Sequence, residues 1–201
     1  MHINISNIQI PYEDFLIRAG YKRNASPPYG NMEILISETF QITKMLIKPK
    51  AAVVFADIKI TENVIDFKGG FGIKSISLSK LLNGCFKAYG VAVTIGSALE
   101  KKRNDLISKK ETSRAFLLDC AGSVAAEEAI KSANLQIKQF EETQNNMTTK
   151  RFSPGYGDWK LDSQKEFLKW IGAGGIGIFL GGACQMIPEK SVSAIIGVSG
   201  K

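Results

Sequence analysis

The sequence predicts an α+β fold. Its helical and strand-like segments follow one another in a mixed order, not the strict alternation that a doubly wound parallel sheet requires. Ala51 to Ile60 is rich in β-branched, alternating residues, whereas Thr112 to about Glu142 runs as one helical pattern without proline. With 201 residues, 44% of them hydrophobic and 22% charged, the chain can bury a substantial core, and disorder as its dominant state is excluded.

The elements follow in order. Pro11 to Gly20 reads as a short helix, with proline near its first turn and glycine past its end. The stretch from Arg23 to Gly30 is a loop, and Asn31 can cap a second helix in which Leu35, Ile36, Phe40 and Leu46 fall near helical spacing. Pro49 stops that helix. The strand Ala51 to Ile60 has a hairpin mate in Asn63 to Phe67, followed by a loop over Lys68 to Gly72. Ser79 to Asn83 is helical, with Gly84 at its C-terminal cap, and Lys87 to Gly96 is a buried strand. Ser97, with Glu100 three residues on, forms a capping-box pattern for a helix reaching about Ser108. In the long helix that follows, Ala121, Gly122, Ala125, Ala126, Ala129 and Ala133 allow a neighbouring element to approach closely. A polar loop and the turn RFSPGYGDW lead to a helix opened by Ser163, with Glu166 completing a second capping box. Ile176 to Leu180 and Ser191 to Val198 are the closing strands.

Several chemistries are excluded early. The only histidine, His2, stands at the N-terminus, which removes internal Ser-His-Asp or Cys-His nucleophiles and histidine-rich zinc sites. Cys85, Cys120 and Cys184 are odd in number and widely separated, so they point to a reducing cytosol. The first residues show no signal-peptide pattern. Residues Ile171 to Ile187 are uncharged but contain six glycines and end at Pro188, so they read as a buried helix end, turn and strand, not as a membrane span. The formal charge of +7 is spread along the chain, which favours attraction to an acidic partner over a nucleic-acid stripe.

Three constellations could carry chemistry. In Arg151-Phe152-Ser153-Pro154-Gly155-Tyr156-Gly157-Asp158-Trp159, Pro154 and Gly155 suit the centre of a type II turn, which places Arg151 and Tyr156 on its flanks. An arginine fork binds a carboxylate with two parallel hydrogen bonds, and a tyrosine offers a flat face and a hydroxyl. The alternative is a surface turn whose arginine pairs with a local acid. On the long helix, Phe116, Cys120, Ser123, Glu127, Ile130, Asn134 and Ile137 share a face. Glu127 therefore either lies in an apolar stripe and needs a cation such as Arg151 or a ligand ammonium, or, with the helix rotated slightly, is solvated. The third is Gly172, Gly174 and Gly177, which match the spacing G-x-G-x-x-G. They lack the preceding strand and following helix that a dinucleotide site needs.

The turn RFSPGYGDW resembles the Arg-x-x-x-Gly-Tyr signature of the activation (reactivation) domain of cobalamin-dependent methionine synthase, in a free-standing form. The tail Gln185 to Val198 is similar to that family's Met-x-Pro-x-x-Ser-Val-Ser segment. The likeness covers roughly Ser75 to Val198, including SKLLNGCFKAYGVAVTIGSALE and FLLDCAGSVAAEEA, and more weakly the first helix. It implies a single unit over 1–201 with a twisted, largely antiparallel sheet and long helices, with 1–70 as an N-terminal lobe and 75–198 as the best-matching core. It also implies an S-adenosylmethionine site at Arg151, Gly155, Tyr156 and Glu127, with Ser153, Pro154 and Asp158 as further contacts and no catalytic side chain. Cobalamin would be carried by a partner, either a methionine synthase core or another corrinoid protein, with a flavodoxin-like electron donor. Neither nucleic acid nor membrane is implied, and the setting is cytoplasmic. The chain departs from the family pattern at Gly181-Gly182-Ala183, which replace Thr-Glu-Ser, at Asn145 in place of a second acid, and at Gly157 and Asp158 after the tyrosine. The family's N-terminal ligand aspartate has no clear counterpart.

Overall fold

The computed structural model describes residues 3–23, 26, 28–68 and 70–201; His2 lies outside the described residues. In chain order the elements are α1 (Tyr12–Arg18), α2 (Asn31–Leu46), β1 (Lys50–Thr61), β2 (Val64–Phe67), β3 (Phe71–Lys74), α3 (Ile76–Leu81), β4 (Lys87–Thr94), α4 (Ala98–Ser108), α5 (Thr112–Thr143), β5 (Asn146–Thr148), α6 (Gln164–Ile171), β6 (Phe179–Leu180), β7 (Met186–Ile187) and β8 (Ser191–Gly200). Short 3₁₀ turns lie at Leu161–Ser163, Ala173–Ile176 and Gly182–Cys184. Six strands form an antiparallel sheet in the order β3-β2-β1-β4-β8-β5, while β6 and β7 make a separate ribbon. The α+β class and the antiparallel sheet follow the sequence expectation.

The centre of the sheet is buried on both faces, and β4 shows how its sequence serves two different neighbours. Tyr89, Val91 and Val93 point to one face, where they meet Ile196 and Val198 of β8 and the α5 residues Leu118, Ala125, Ala129, Ile130 and Ile137. Full burial of side chains such as Ile130 and Ile137 stabilises the fold by about 1.5–3 kcal/mol each. On the other face Ala88 and Ala92 join Ile195, Phe167, Leu168 and Ile171 around α6. Gly90 lies between them because a Cβ there would run into the Trp170 ring and come 2.9 Å from Ile171 Cγ1. The small residues of α5 act similarly. A Cβ on Gly122 would meet Leu99 of α4 at 2.8 Å. α1 and α2 cover the outer side of α5, with Phe15 and Ile36 packed on Leu117, Cys120, Ala121 and Val124.

Several local expectations are corrected. The stretch Lys68 to Gly72 is not simply a loop, because Phe71–Lys74 forms β3 against β2, with Phe71 stacked on Trp170 at 5.3 Å. The helix expected at Ser79 to Asn83 begins at Ile76, capped by Ser75, whose side chain accepts from Leu78 N–H. Neither capping box forms. Ser97 and Ser163 make no side-chain cap, and Glu100 instead accepts from Lys190 N–H at 3.0 Å. Asn31 is the first residue of α2 and follows Gly30 as its cap. The strand expected over Ile176 to Leu180 shrinks to β6, and the polar loop after α5 contains β5. None of the described helices is long and apolar enough to cross a membrane.

Candidate functional site

The candidate site exists because the outer edge of the sheet stops short. After β5 the chain runs beside β8: Thr149 N–H donates to Gly197 O, and Phe152 and Ile195 exchange hydrogen bonds of 3.0 and 2.7 Å. In that register Pro154 would stand opposite Ser193. Proline has no N–H to give, so the ladder ends and the chain turns away. A cleft of ≈ 500 Å³ opens between the turn, the start of β8 and α5.

The turn has the expected form. Tyr156 N–H donates to Ser153 O at 3.2 Å, and Gly155 adopts φ +89°, the left-handed geometry a type II turn needs at that position. The turn is clamped from beneath: Gly155 N–H donates to Trp159 O at 2.8 Å, and Trp159 is buried between Phe152 and Phe167. Asp158 completes the clamp. Its carboxylate accepts from Ser75 Oγ at 2.7 Å, Ile76 N–H at 2.6 Å and Ser77 N–H at 3.0 Å. The hydroxyl of Ser75 and the amides of Ser77 and Ile76 hold its carboxyl well below the usual carboxylate range.

This scaffold gathers most of the sequence-predicted residues. Arg151, Ser153, Pro154, Tyr156 and Glu127 border the cleft. Arg151 is largely covered, with its side chain 26% exposed; Nη2 lies 3.4 Å from Glu127 Oε2. Glu127 itself is 54% exposed, so the solvated reading of the helix face is the right one, although it still finds the arginine. Tyr156 is 65% exposed and leans toward Phe152 with ring centroids 6.3 Å apart. Gly155 does not line the cleft and serves as the left-handed corner of the turn. Asp158 is also outside the lining, its oxygens occupied on α3.

Other groups went unrecognised in the sequence. Gln164 of α6 is buried at the cleft wall and donates through Nε2 to Cys184 O at 2.7 Å, which fixes the turn carrying Gly182 and Ala183. Met186 of β7 and Ser191, Val192 and Ser193 of β8 complete the lining. The one available signal was a pair of serines opening a largely apolar strand. A charged cluster fixes the start of that strand. Arg103 of α4 binds Asp119 at 2.7 Å and Glu189 at 2.8 Å, while Lys190 reaches Asp119 at 2.8 Å and Ser123 Oγ at 2.9 Å. Burial works to raise the Asp119 pKa, but Lys190 and Arg103 prevail and hold it below its ordinary value.

The departures from the family pattern also acquire structural meaning. Asn145 takes φ +61° at the end of α5, a conformation asparagine tolerates well. Gly181 sits where a Cβ would approach Ile187 Cδ1 to 2.9 Å. Among the three spaced glycines, Gly172 and Gly177 have left-handed φ values and bracket a 3₁₀ turn after α6, so no strand-to-helix phosphate cradle is formed.

No protein-family model matches the chain, and no curated protein does. Among solved structures it is similar to the MetH reactivation domain, crystallised bound to AdoHcy, with a TM-score of 0.65. The match covers 94% of this chain and 73% of that one, with 11% of residues identical. At that identity the likeness establishes the fold.

Proposed function

We propose that the cleft binds S-adenosylmethionine and that the chain serves as a reactivation module for a cobalamin-carrying methionine synthase core. The observation that carries this reading is the meeting of Arg151, Glu127 and Tyr156 in one cleft, on a fold like that of a protein solved with AdoHcy. The residues present suit the ligand. The guanidinium matches an amino-acid carboxylate, the Glu127 carboxylate matches its ammonium, and Tyr156 provides a flat face. When bound, S-adenosylmethionine supplies a sulfonium-activated methyl group. This chain binds the amino-acid end and orients the rest along the β8 edge. Its part is position and electrostatics, with no general acid or nucleophile of its own. Cobalamin belongs to the partner in this reading. The formal charge of +7 favours rapid association with an acidic, flavodoxin-like electron donor in the cytoplasm, not with nucleic acid.

A second reading is favoured by the Arg151–Glu127 pair, which already occupies the arginine. In it the chain is a docking or reactivation partner of another corrinoid methyltransferase and does not bind S-adenosylmethionine. Calorimetric titration with S-adenosylmethionine separates the two. Saturable binding at one site is expected; no binding, alone or with a corrinoid partner, transfers the assignment to the docking reading.

A further inference from the structure

A second cavity, of ≈ 320 Å³, opens between the start of β1, the start of α4 and the 3₁₀ turn after α6. Lys48 and Lys50 stand on its wall with Thr94, Ser97, Ile176 and Pro188. Among the described residues the wall carries no acid, and neither lysine enters an ion pair. The main cleft differs in this respect, because Glu127 there answers Arg151 at 3.4 Å. Lys101 is exposed and lies three residues on from Ala98, which places a third cation on the same side of α4. Its neighbour Glu100 already accepts from Lys190 N–H at 3.0 Å.

The β6–β7 ribbon adjoins this cavity, with Ile187 next to Pro188 and Phe179 two residues on from Gly177. Its two cross-strand pairs face opposite ways. Leu180 and Met186 pack inward on the α6-side core, whereas Phe179 and Ile187 are 62% and 51% exposed. A single exposed apolar side chain is ordinary on a protein surface. Here two large ones are paired across one ribbon, beside a cavity whose cations have no counterion. An apolar anchor beside charge of one sign is the pattern of a docking site.

We propose that Lys48, Lys50 and the Phe179–Ile187 pair form a docking surface for an acidic segment of a partner protein, in which carboxylates flank a large apolar residue. The carboxylates meet the two ammonium groups, and the apolar residue covers Phe179 and Ile187. Charge complementarity selects this occupant, because the cavity offers cations alone and the whole chain carries a formal charge of +7. The surface stands on its own residues and holds whether or not the cleft binds S-adenosylmethionine. It is nevertheless close to that cleft, since Met186, which precedes Ile187, belongs to the cleft lining.

The test is a nuclear magnetic resonance titration of the full chain, labelled with nitrogen-15, with the peptide acetyl-Glu-Glu-Leu-Phe-Glu-Glu-amide. Its analogue with glutamine at every glutamate and inorganic phosphate serve as comparison probes. Saturable shifts are expected at the amides of Lys50, Ser97, Gly177, Phe179 and Ile187, and rising salt should weaken them. The glutamine analogue should bind at least about tenfold more weakly, and so should the acidic peptide to the double variant Lys48→Glu/Lys50→Glu, where attraction becomes repulsion. Phe179→Ser should cost about 3- to 10-fold in peptide affinity. Lys59→Glu/Lys74→Glu makes the same change in net charge at the other end of β1, about 30 Å away, and should cost less than about twofold. All the substituted side chains are exposed, so the Tm of each variant should stay within about 2 °C of the wild type. No saturable shift, equal binding of the two peptides, or an equal loss in the Lys59/Lys74 control overturns the proposal. Phosphate that shifts the same amides, with peptide binding untouched by Phe179→Ser, marks a small-anion site and overturns it too. So does self-association of the wild type that Phe179→Ser abolishes, which would make the surface an interface between copies of this chain. An affinity loss seen only with a larger fall in Tm marks a structural role and likewise overturns it.

Discussion

Glu141→Gln tests how the end of α5 fixes the path to Arg151. The Glu141 side chain is 0% exposed and receives Lys87 Nζ at 2.7 Å, Asn146 Nδ2 at 2.8 Å and the Tyr89 hydroxyl. It therefore ties α5 to β4 and to β5, the strand leading into the Arg151 turn. Glutamine keeps the shape but removes the charge, leaving the Lys87 ammonium, 16% exposed, without its counterion. Removing one member of a buried pair costs about 3–5 kcal/mol. Lys87 retains the faces of Phe55, Phe86 and Tyr89 at 5.3–5.8 Å, worth about 0.5–1 kcal/mol. A net loss of about 2–4 kcal/mol follows, and in a chain of this length it should lower Tm by about 5–15 °C in a thermal melt followed by circular dichroism at neutral pH. The pH dependence has a definite sign. Burial works to raise the Glu141 pKa, but hydrogen bonds from Lys87, Tyr89 and Asn146 outweigh it and hold it below its ordinary value. A depressed pKa contributes stability that is complete above the unfolded value, about 4.3, and is lost as pH falls through the folded one. The gap between wild type and variant should therefore narrow only below about pH 4. A neutral-pH shift under about 1 °C, or a gap that persists unchanged into acid, would refute the reasoning.

Gly90→Ala should destabilise by about 1–3 kcal/mol, because its methyl group meets the Trp170 ring; a shifted Trp170 fluorescence spectrum and a lower Tm are the readouts. Asp158→Asn should lower Tm at neutral pH by weakening the clamp between the turn and α3, and should reduce hydrogen-exchange protection at Ile76 and Ser77. Because the wild-type carboxyl is held below its ordinary pKa, that difference should persist down to about pH 4 and close only in stronger acid.

The fold class and most strands were legible because their signals are local. The alternation of Ala51 to Ile60 and the proline-free run from Thr112 require no knowledge of distant partners. Features that failed depended on tertiary competition. Ser97 and Glu100 have capping-box spacing, yet Glu100 serves Lys190, ninety residues away. Phe71 follows a glycine pair and looks like loop, but stacking on Trp170 holds it in a strand. The site was half legible. A proline–glycine turn announces itself and carries Arg151 and Tyr156 with it. Asp158 looked like a ligand contact because nothing local reveals that α3 would take up its carboxylate. The end of the edge ladder was invisible because it depends on register: only the pairing of Phe152 with Ile195 shows that Pro154 falls opposite Ser193 and stops it.

The assignment of the cleft turns most directly on the affinity of the wild type, Arg151→Ala and Arg151→Lys for S-adenosylmethionine, measured by calorimetry in one buffer. Loss of hydrogen bonds to a charged group costs about 1.5–3 kcal/mol, so Arg151→Ala should bind about ten- to a hundredfold more weakly. Arg151→Lys should recover only part of this, because an ammonium cannot reproduce the planar fork. Wild-type binding that Arg151→Ala leaves unchanged would contradict the account and place the ligand elsewhere.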